Sequence, residues 1–268
     1  IETTKHNRIR VMNKKIKKFL NFKNKRKIVS LTAYSKNIST ILDGFCDLVL
    51  VGDSLANVLY GMKNTHNLNL NTMINHAQSV KKGIKKSLFI VDMPKNSYNT
   101  AKQAIKNAKI IIKKTGCDGV KIENNFSNLN VVKSMCKSNI NVMGHIGYTP
   151  QLKQKFKVEG KKISEQAKLL TQAKQIEDAG AFSIVLECIS KETAKKITKS
   201  LKIPTIGIGS SIFCDGQILV TDDLIGLSGF NPKFVKRYVN VKNIIKKAVK
   251  SFSKDVKKSK FPNNKQSF

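Results

Sequence analysis

Acidic residues are in short supply in this chain: 17 Asp and Glu stand against 50 Lys and Arg, a formal net charge of +33 over 268 residues. Histidine is scarcer, with four copies at positions 6, 66, 76 and 145 and none beyond. The five cysteines (46, 117, 136, 188, 214) are an odd number without a CxxC pair. That pattern disfavours a disulfide framework or a zinc site, and buried reduced thiols are expected. No apolar run approaches the ~20 residues of a membrane span, and no signal-peptide pattern opens the sequence, so a cytoplasmic protein is expected. GxSxG, HExxH and the Walker GxxxxGK[ST] are missing too, which removes the α/β-hydrolase, zincin and P-loop readings.

The positive charge raises the question of nucleic acid, because cations neutralise phosphates whatever the base sequence. Lysine, asparagine and isoleucine are enriched together throughout, however, and arginine is scarce. The lysines spread over every candidate helix, with no RGG run, zinc-finger spacing or aromatic RNP motif among them. Compositional drift explains this better, and no specific nucleic-acid partner is expected. The segment 1–27 is strongly basic, with Glu2 its only acid, and Ile16, Phe19 and Leu20 have the spacing of a short helix. A polar tail follows residue 259.

Hydrophobic residues make up 40% of the chain, enough for a core. Short β-rich runs occupy 28–33, 47–52, 88–92, 118–123, 141–145, 183–187 and 204–208, with a weaker one at 217–221. Helical stripes lie between them: Ala101, Ala104, Ile105, Ala108, Ile111 and Ile112, closed by Gly116, form one; Met73, Ile74, Ala77, Val80 and Ile84 form another. A short helix after Pro232 and a C-terminal one carrying Ile244, Ile245, Ala248, Val249 and Phe252 complete the pattern. Alternating strands and helices imply parallel pairing through right-handed crossovers. Eight units in one chain of this length predict a (β/α)8 barrel spanning 1–268 as a single domain.

The ends of the strands are more informative than the strands. "LVLVGD" ends in Asp53 and "LFIVD" in Asp92; "GVKIE" carries Lys121 and ends in Glu123; "NVMGH" ends in His145 and "SIVLE" in Glu187. A lone acid after a strand is usually a helix cap. Four acids, one lysine and one histidine at five successive strand ends form a different pattern, because the carboxyl ends of barrel strands share one mouth. Four carboxylates there require compensating positive charge, which a divalent cation and Lys121 would supply. Oxygen ligands without cysteine or a histidine pair suggest Mg²⁺, which could stabilise the enolate of a 2-oxo acid while a further carboxylate acts as base.

The quartet Gly52-Asp53-Ser54-Leu55 also fits the GDSL serine esterases, where the serine is the nucleophile. That chemistry needs a histidine oriented by an acid as D-x-x-H, and no histidine here has Asp three residues before it. His66 and His76 are expected on the surface, whereas His145, between glycines at a strand end, is a site candidate.

Motifs in order along the chain are "IVSLTAY" (28–34), "VGDSLANVLYGMKNT" (51–65), "VDMP" (91–94), "VKIE" (120–123), "GHIGYTPQ" (144–151), "AGAFSIVLEC" (179–188), "IPTIGIGSSIFCDGQILV" (203–220) and "NPKFVKRY" (231–238). With these the chain resembles the ketopantoate hydroxymethyltransferase family from about residue 13 to about 255. The resemblance implies a TIM barrel of the phosphoenolpyruvate/pyruvate-domain type. It implies an enzyme of pantothenate (coenzyme A) synthesis that transfers a hydroxymethyl group from 5,10-methylenetetrahydrofolate to 3-methyl-2-oxobutanoate. Carried over by motif, Asp53 and Asp92 would ligate Mg²⁺, with Glu123 a ligand directly or through water. Asp53, Ser54, Asp92, Lys121 and His145 would meet the keto acid, Glu187 would remove its C3 proton, and the assembly would be a homo-oligomer, a decamer in the family. Departures are Ser35 and Ala56, Asn124-Asn125 where the family has paired glycines, and a segment 152–158 about three residues short. Two rival readings are weaker. A C–C lyase of the related phosphoenolpyruvate-mutase group lacks its KKCGH loop here, and a nucleic-acid binder would not keep carboxylates in its central cleft.

Overall fold

The computed structural model describes residues 13–153 and 155–268. Positions 1–12 of the basic N-terminal segment, His6 among them, and residue 154 of the short 152–158 segment lie outside the described residues. The chain divides into two compact units, one ending at Leu219 and one spanning Val220–Phe268.

The first unit is a closed barrel of eight parallel strands. These are β1 (Ile28–Thr32), β2 (Leu48–Val51), β3 (Leu88–Asp92), β4 (Gly119–Lys121), β5 (Val142–Gly147), β6 (Ser183–Glu187), β7 (Thr205–Ile208) and β8 (Gly216–Leu219). β1 pairs with β8, Ile28 opposite Gly216, which closes the ring. In chain order the helices of this unit are α1 (Lys14–Leu20), α2 (Lys36–Leu42), α3 (Leu55–Val58), α4 (Leu70–Lys81), α5 (Ala101–Thr115), α6 (Leu129–Lys137), α7 (Ile163–Asp178) and α8 (Lys191–Ser200). Their boundaries follow from local chemistry. The Asn69 side chain accepts from Thr72 N–H and starts α4, and Thr100 accepts from Gln103 N–H and starts α5. α5 ends as expected at Gly116, whose left-handed conformation (φ 62°) suits a residue without a Cβ.

Strand alternation sorts the core into two shells. Leu48, Leu50, Leu88, Ile90, Met143, Val185, Ile206 and Ile218 fill the barrel interior. Val49, Val51, Phe89, Val91, Val120, Ile146, Ile184 and Leu186 join the shell packed with the helices, against Met73, Ala77, Ala104, Ala108, Ala173 and Ile197. α1 supplies the floor, where Ile16 and Phe19 are fully buried and Phe19 meets Phe182 edge-on with ring centroids 5.9 Å apart. Burying a side chain of this size contributes about 1.5–3 kcal/mol. Beside it, a buried ion pair joins Lys23 Nζ to Asp215 Oδ2 at 2.7 Å.

Two expectations need correction. The link between β7 and β8, residues 209–215, holds no helix, so strict β/α alternation fails there. No helix follows Pro232 directly either. Residues 232–235 form a turn closed by Val235 N–H to Pro232 O at 3.0 Å, and the short helix comes earlier, as α9 (Thr221–Leu224). In the second unit, α10 (Val241–Lys257) keeps Ile244, Ile245, Val249, Phe252 and Val256 exposed along one helix. All five cysteines are free and buried, in line with the reduced-thiol expectation. Among the described residues no helix is long and apolar enough to cross a membrane.

Candidate active site

The alternation that places leucines and isoleucines inside the barrel carries polar residues to its mouth. Counting by twos from Leu88 and Ile90 reaches Asp92, and from Met143 reaches His145. Val185 leads to Glu187 in the same way, while Val120 and Ile122 face outward and leave Lys121 and Glu123 facing in. Asp53 and Ser54 follow β2 directly and begin α3. All seven predicted residues are thus brought to one end of the barrel. Asp53, Asp92, Lys121, Glu123 and His145 are buried, and the Glu187 side chain keeps 20% of its surface open.

Asp92 sits opposite Lys121 in the β3–β4 register. Its Oδ2 accepts from Asp53 N–H at 3.1 Å, and its Oδ1 lies 2.7 Å from Lys121 Nζ. The latter is an ion contact without hydrogen-bond alignment, so Asp92 Oδ1 is buried with no aligned donor. Burial, and then the Asp53 charge against the relief from Lys121, raise the Asp92 carboxyl to about 6. Burial opposes the Lys121 ammonium, yet Asp92, Asp53 and Glu123 outweigh it and hold its pKa above the usual lysine value.

His145 stands between two acids, Nδ1 3.9 Å from Glu123 Oε1 and Nε2 3.2 Å from Glu187 Oε2. Neither ring nitrogen has an aligned hydrogen bond. Burial, with the Lys121 charge adding to it, pushes the imidazole well below its ordinary pKa, so it is neutral at pH 7. Burial also lifts Glu187 to about 8, and burial with the Asp53 charge lifts Glu123 well above the carboxylate range. The chain turns sharply after Glu187: Cys188 takes φ 50°, a left-handed conformation strained for a residue with a Cβ. Ser54 Oγ pairs with Tyr34 OH at 2.7 Å rather than with a histidine.

Residues without an assigned role in the sequence reading hold this cluster in place. Gln151 donates its backbone N–H to Glu123 Oε2 at 2.9 Å and its side-chain Nε2 to Asp53 Oδ2 at 2.8 Å. Tyr98 OH donates to Gln151 Oε1 at 2.6 Å. Asn124 Oδ1 accepts from His145 N–H at 3.0 Å, and Asn124 O accepts from Gln172 Nε2 at 2.8 Å. Gly144 makes room for this: a Cβ there would stand 3.0 Å from Asn124 Oδ1 and 2.7 Å from Ile176 Cγ2. Asn124, a departure from the family pattern, therefore fills space behind β5 and braces it. Ala56 is fully buried on α3. In the 152–158 segment, Phe156 meets Tyr148 edge-on with centroids 5.3 Å apart, and Tyr148 N–H bonds Glu187 O at 2.9 Å. His66 and His76 are partly buried; His66 bonds Pro150 O, and His76, on α4, bonds Tyr34 O.

The donor set fits a small hard cation. Two carboxylates from neighbouring strand ends, Asp53 and Asp92, are joined by the Asp53 N–H bond to Asp92 Oδ2, and Asp92 Oδ1 meets Lys121 Nζ without hydrogen-bond alignment. Among the described residues no three His, Cys, Asp or Glu side chains stand at metal-ligating spacing. A cation here would rest on two carboxylates and complete its shell with water and substrate oxygens, as Mg²⁺ commonly does.

A family model described as ketopantoate hydroxymethyltransferase matches residues 13–264. A 3-methyl-2-oxobutanoate hydroxymethyltransferase of Pelagibacter ubique (strain HTCC1062) is 54% identical over 257 residues, covering 96% of this chain and 100% of that protein. A protein of the same name from Bartonella tribocorum (strain CIP 105476 / IBS 506) is 44% identical over 248 residues, 91% of this chain and 92% of that one. Among solved structures, a 2,3-dimethylmalate lyase described as a PEP mutase/isocitrate lyase superfamily member superposes with a TM-score of 0.61 at 14% identity, over 96% of this chain and 93% of that one. A phosphonopyruvate hydrolase in complex with oxalate and Mg²⁺ gives 0.62 at 10% identity, over 92% and 89%. At such identities the two structures share the barrel fold with this chain.

Proposed function

The chain belongs to the ketopantoate hydroxymethyltransferase family, and from that premise we propose that it converts 3-methyl-2-oxobutanoate, 5,10-methylenetetrahydrofolate and water to 2-dehydropantoate and tetrahydrofolate, with Mg²⁺ at the barrel mouth. The observation that carries the reading is the joint placement of Asp53, Asp92, Lys121, Glu123, His145 and Glu187 at one mouth, with Glu187 beside His145 and Lys121 beside Asp92. Asp53 and Asp92 would hold the cation, and Glu123 would reach it through water, since one of its oxygens already accepts from Gln151. Bound there, Mg²⁺ supplies a Lewis acid for the keto and carboxylate oxygens of the substrate.

The chain's own groups account for the rest. Lys121 and the Ser54 hydroxyl would meet the oxygens of the 2-oxo acid, the first as a positive charge and the second as a neutral hydrogen-bonding group. Glu187 takes the C3 proton; a base with a pKa of about 8 accepts a proton more readily than an ordinary carboxylate. Water releases the methylene carbon from the two folate nitrogens as a formaldehyde equivalent, giving tetrahydrofolate, and C3 adds to that carbon while its oxygen takes a proton, forming the hydroxymethyl group. His145, with Nε2 3.2 Å from Glu187 Oε2 and itself neutral, brings no positive charge to that carboxyl. We further propose a cytoplasmic homo-oligomer, which the exposed apolar residues of α10 support.

The deciding measurement is formaldehyde uptake into, or release from, the keto acid, with and without tetrahydrofolate and Mg²⁺. Turnover that needs both supports the proposal. Turnover indifferent to tetrahydrofolate would point instead to the lyase chemistry of the wider superfamily.

A further inference from the structure

Gln151 lies on the loop after β5, 2% exposed, and each of its side-chain polar atoms is used. The Nε2 group donates to Asp53 Oδ2 at 2.8 Å and to Met93 O at 3.1 Å, Oε1 accepts from Tyr98 OH at 2.6 Å, and the backbone N–H donates to Glu123 Oε2 at 2.9 Å. The orientation of the amide follows from chemistry. Asp53 Oδ2 and Met93 O are both acceptors, so only the two N–H bonds of the amide can face them. The carbonyl end must then face Tyr98, and the phenol must donate. One residue therefore fixes two carboxylates from different strand ends, and a second, Tyr98, fixes that residue.

We infer that Gln151 is a positioning residue of the cation site: it occupies Asp53 Oδ2, presents the other Asp53 oxygen to the cation, and holds Glu123 beside it. The inference rests on the reading of Asp53 as a metal ligand. A neutral donor suits this position. An ammonium would satisfy Asp53 in the cation's place, whereas the amide orients the carboxylate and leaves its charge for the metal. Preorganisation of this kind raises affinity because the ligand's freedom is already spent, and loss of such a partner typically weakens metal binding about 10- to 100-fold.

The test uses Mn²⁺ binding to the full chain, read from the electron paramagnetic resonance signal of free Mn²⁺, with thermal unfolding in EDTA alongside. Gln151→Met keeps the volume and the backbone N–H but removes every side-chain bond. It should bind Mn²⁺ about 10- to 100-fold more weakly. Its turnover should show a raised KM for Mg²⁺, with kcat returning to within a few-fold of the parent at saturating Mg²⁺. Tyr98→Phe removes the bond that locks the amide, together with the phenol's contact to the Glu123 backbone, and should weaken Mn²⁺ binding several-fold; it decides the matter if Gln151→Met does not fold. Affinities within about twofold of the parent, even with a lowered unfolding temperature, would reduce Gln151 to a loop anchor and overturn the inference. A parent that binds no Mn²⁺ would overturn the cation reading itself, and the inference with it.

Discussion

Glu187→Gln separates the chemical role of this carboxyl from its structural cost. In the folded chain its pKa stands at about 8 against an ordinary 4.5, chiefly through burial. A folded-state pKa above the unfolded one means that the native protein holds a proton which unfolding releases. The stability associated with that proton is complete below about pH 4.5 and is lost as pH rises toward 8. At pH 7 the gap of about 2.5 units corresponds to roughly 3 kcal/mol of destabilisation, and above pH 8 it approaches roughly 5. Glutamine matches the shape and carries no charge. The metal-free variant should therefore be about as stable as the parent at pH 4 and roughly 3 kcal/mol more stable at pH 7, as measured by urea unfolding in EDTA. The same substitution removes the base. Deuterium exchange at C3 of 3-methyl-2-oxobutanoate should fall at least about 100-fold, while Mg²⁺ binding changes little. A stability difference that stays flat between pH 4 and 8 would refute the burial argument, and undiminished exchange would refute the assignment of the base.

Other substitutions probe the surrounding framework. Lys121→Met removes the only ammonium beside Asp92 among the described ion pairs, so urea unfolding in EDTA should show a loss of about 3–5 kcal/mol at pH 8. The loss should narrow at pH 5, where Asp92, with a pKa of about 6 even beside the lysine, is largely protonated. Gly144→Ala places a methyl 2.7 Å from Ile176 Cγ2 and 3.0 Å from Asn124 Oδ1. It should lower stability by about 1–3 kcal/mol and reduce kcat through displaced His145, with circular dichroism melting and initial rates as the checks. Lys23→Met leaves the buried Asp215 carboxylate with its Thr205 hydrogen bonds but no ion partner and should cost about 2–3 kcal/mol in the same unfolding assay. Turnover per folded molecule should be unchanged, because this pair lies at the end of the barrel opposite the acids.

The barrel was legible because each strand announces itself by composition and each strand end by an abrupt change in polarity. Asp92, Lys121, His145 and Glu187 fall where period-two counting puts them, on the inner face at the same end. The eighth strand was faint because Gly216 and Gln217 carry little β signal; its place is set by pairing on both sides, with β1 and β7. The helix-free 209–215 link was not visible either, since alternation is a rule about typical crossovers. Gln151 and Tyr98 escaped because a hydrogen-bonding hub is defined by its partners. Those partners, Asp53, Met93 and Glu123, come from three other strand ends, and no local pattern brings them together. Asn124 shows the same limit: in the sequence it was only a departure from the family's paired glycines, whereas its side chain turns behind β5 to accept from His145 N–H. The short helix expected after Pro232 is a turn, which shows how little helical pattern five or six residues carry.

The closing seam of the barrel constrains how the chain can be made. β1 pairs with β8, Ile28 N–H bonds Asp215 O at 2.9 Å, Lys27 Nζ bonds Cys214 O at 2.6 Å, and Lys23 meets Asp215. One edge of the first strand pairs with β2 early, but its other edge, and Lys23 and Lys27, find their partners only when residues 214–219 exist. During synthesis the β8-facing edge of β1 must wait, unpaired, while nearly two hundred residues emerge from the ribosome, about 10–40 s at ordinary elongation rates. Over that interval the growing polypeptide is an open, curling sheet with an unpaired leading edge, the state most exposed to chaperones and to association with its own copies. Whatever their origin, the lysines that crowd its early segments put like charge on every unfinished copy, and like charges disfavour association.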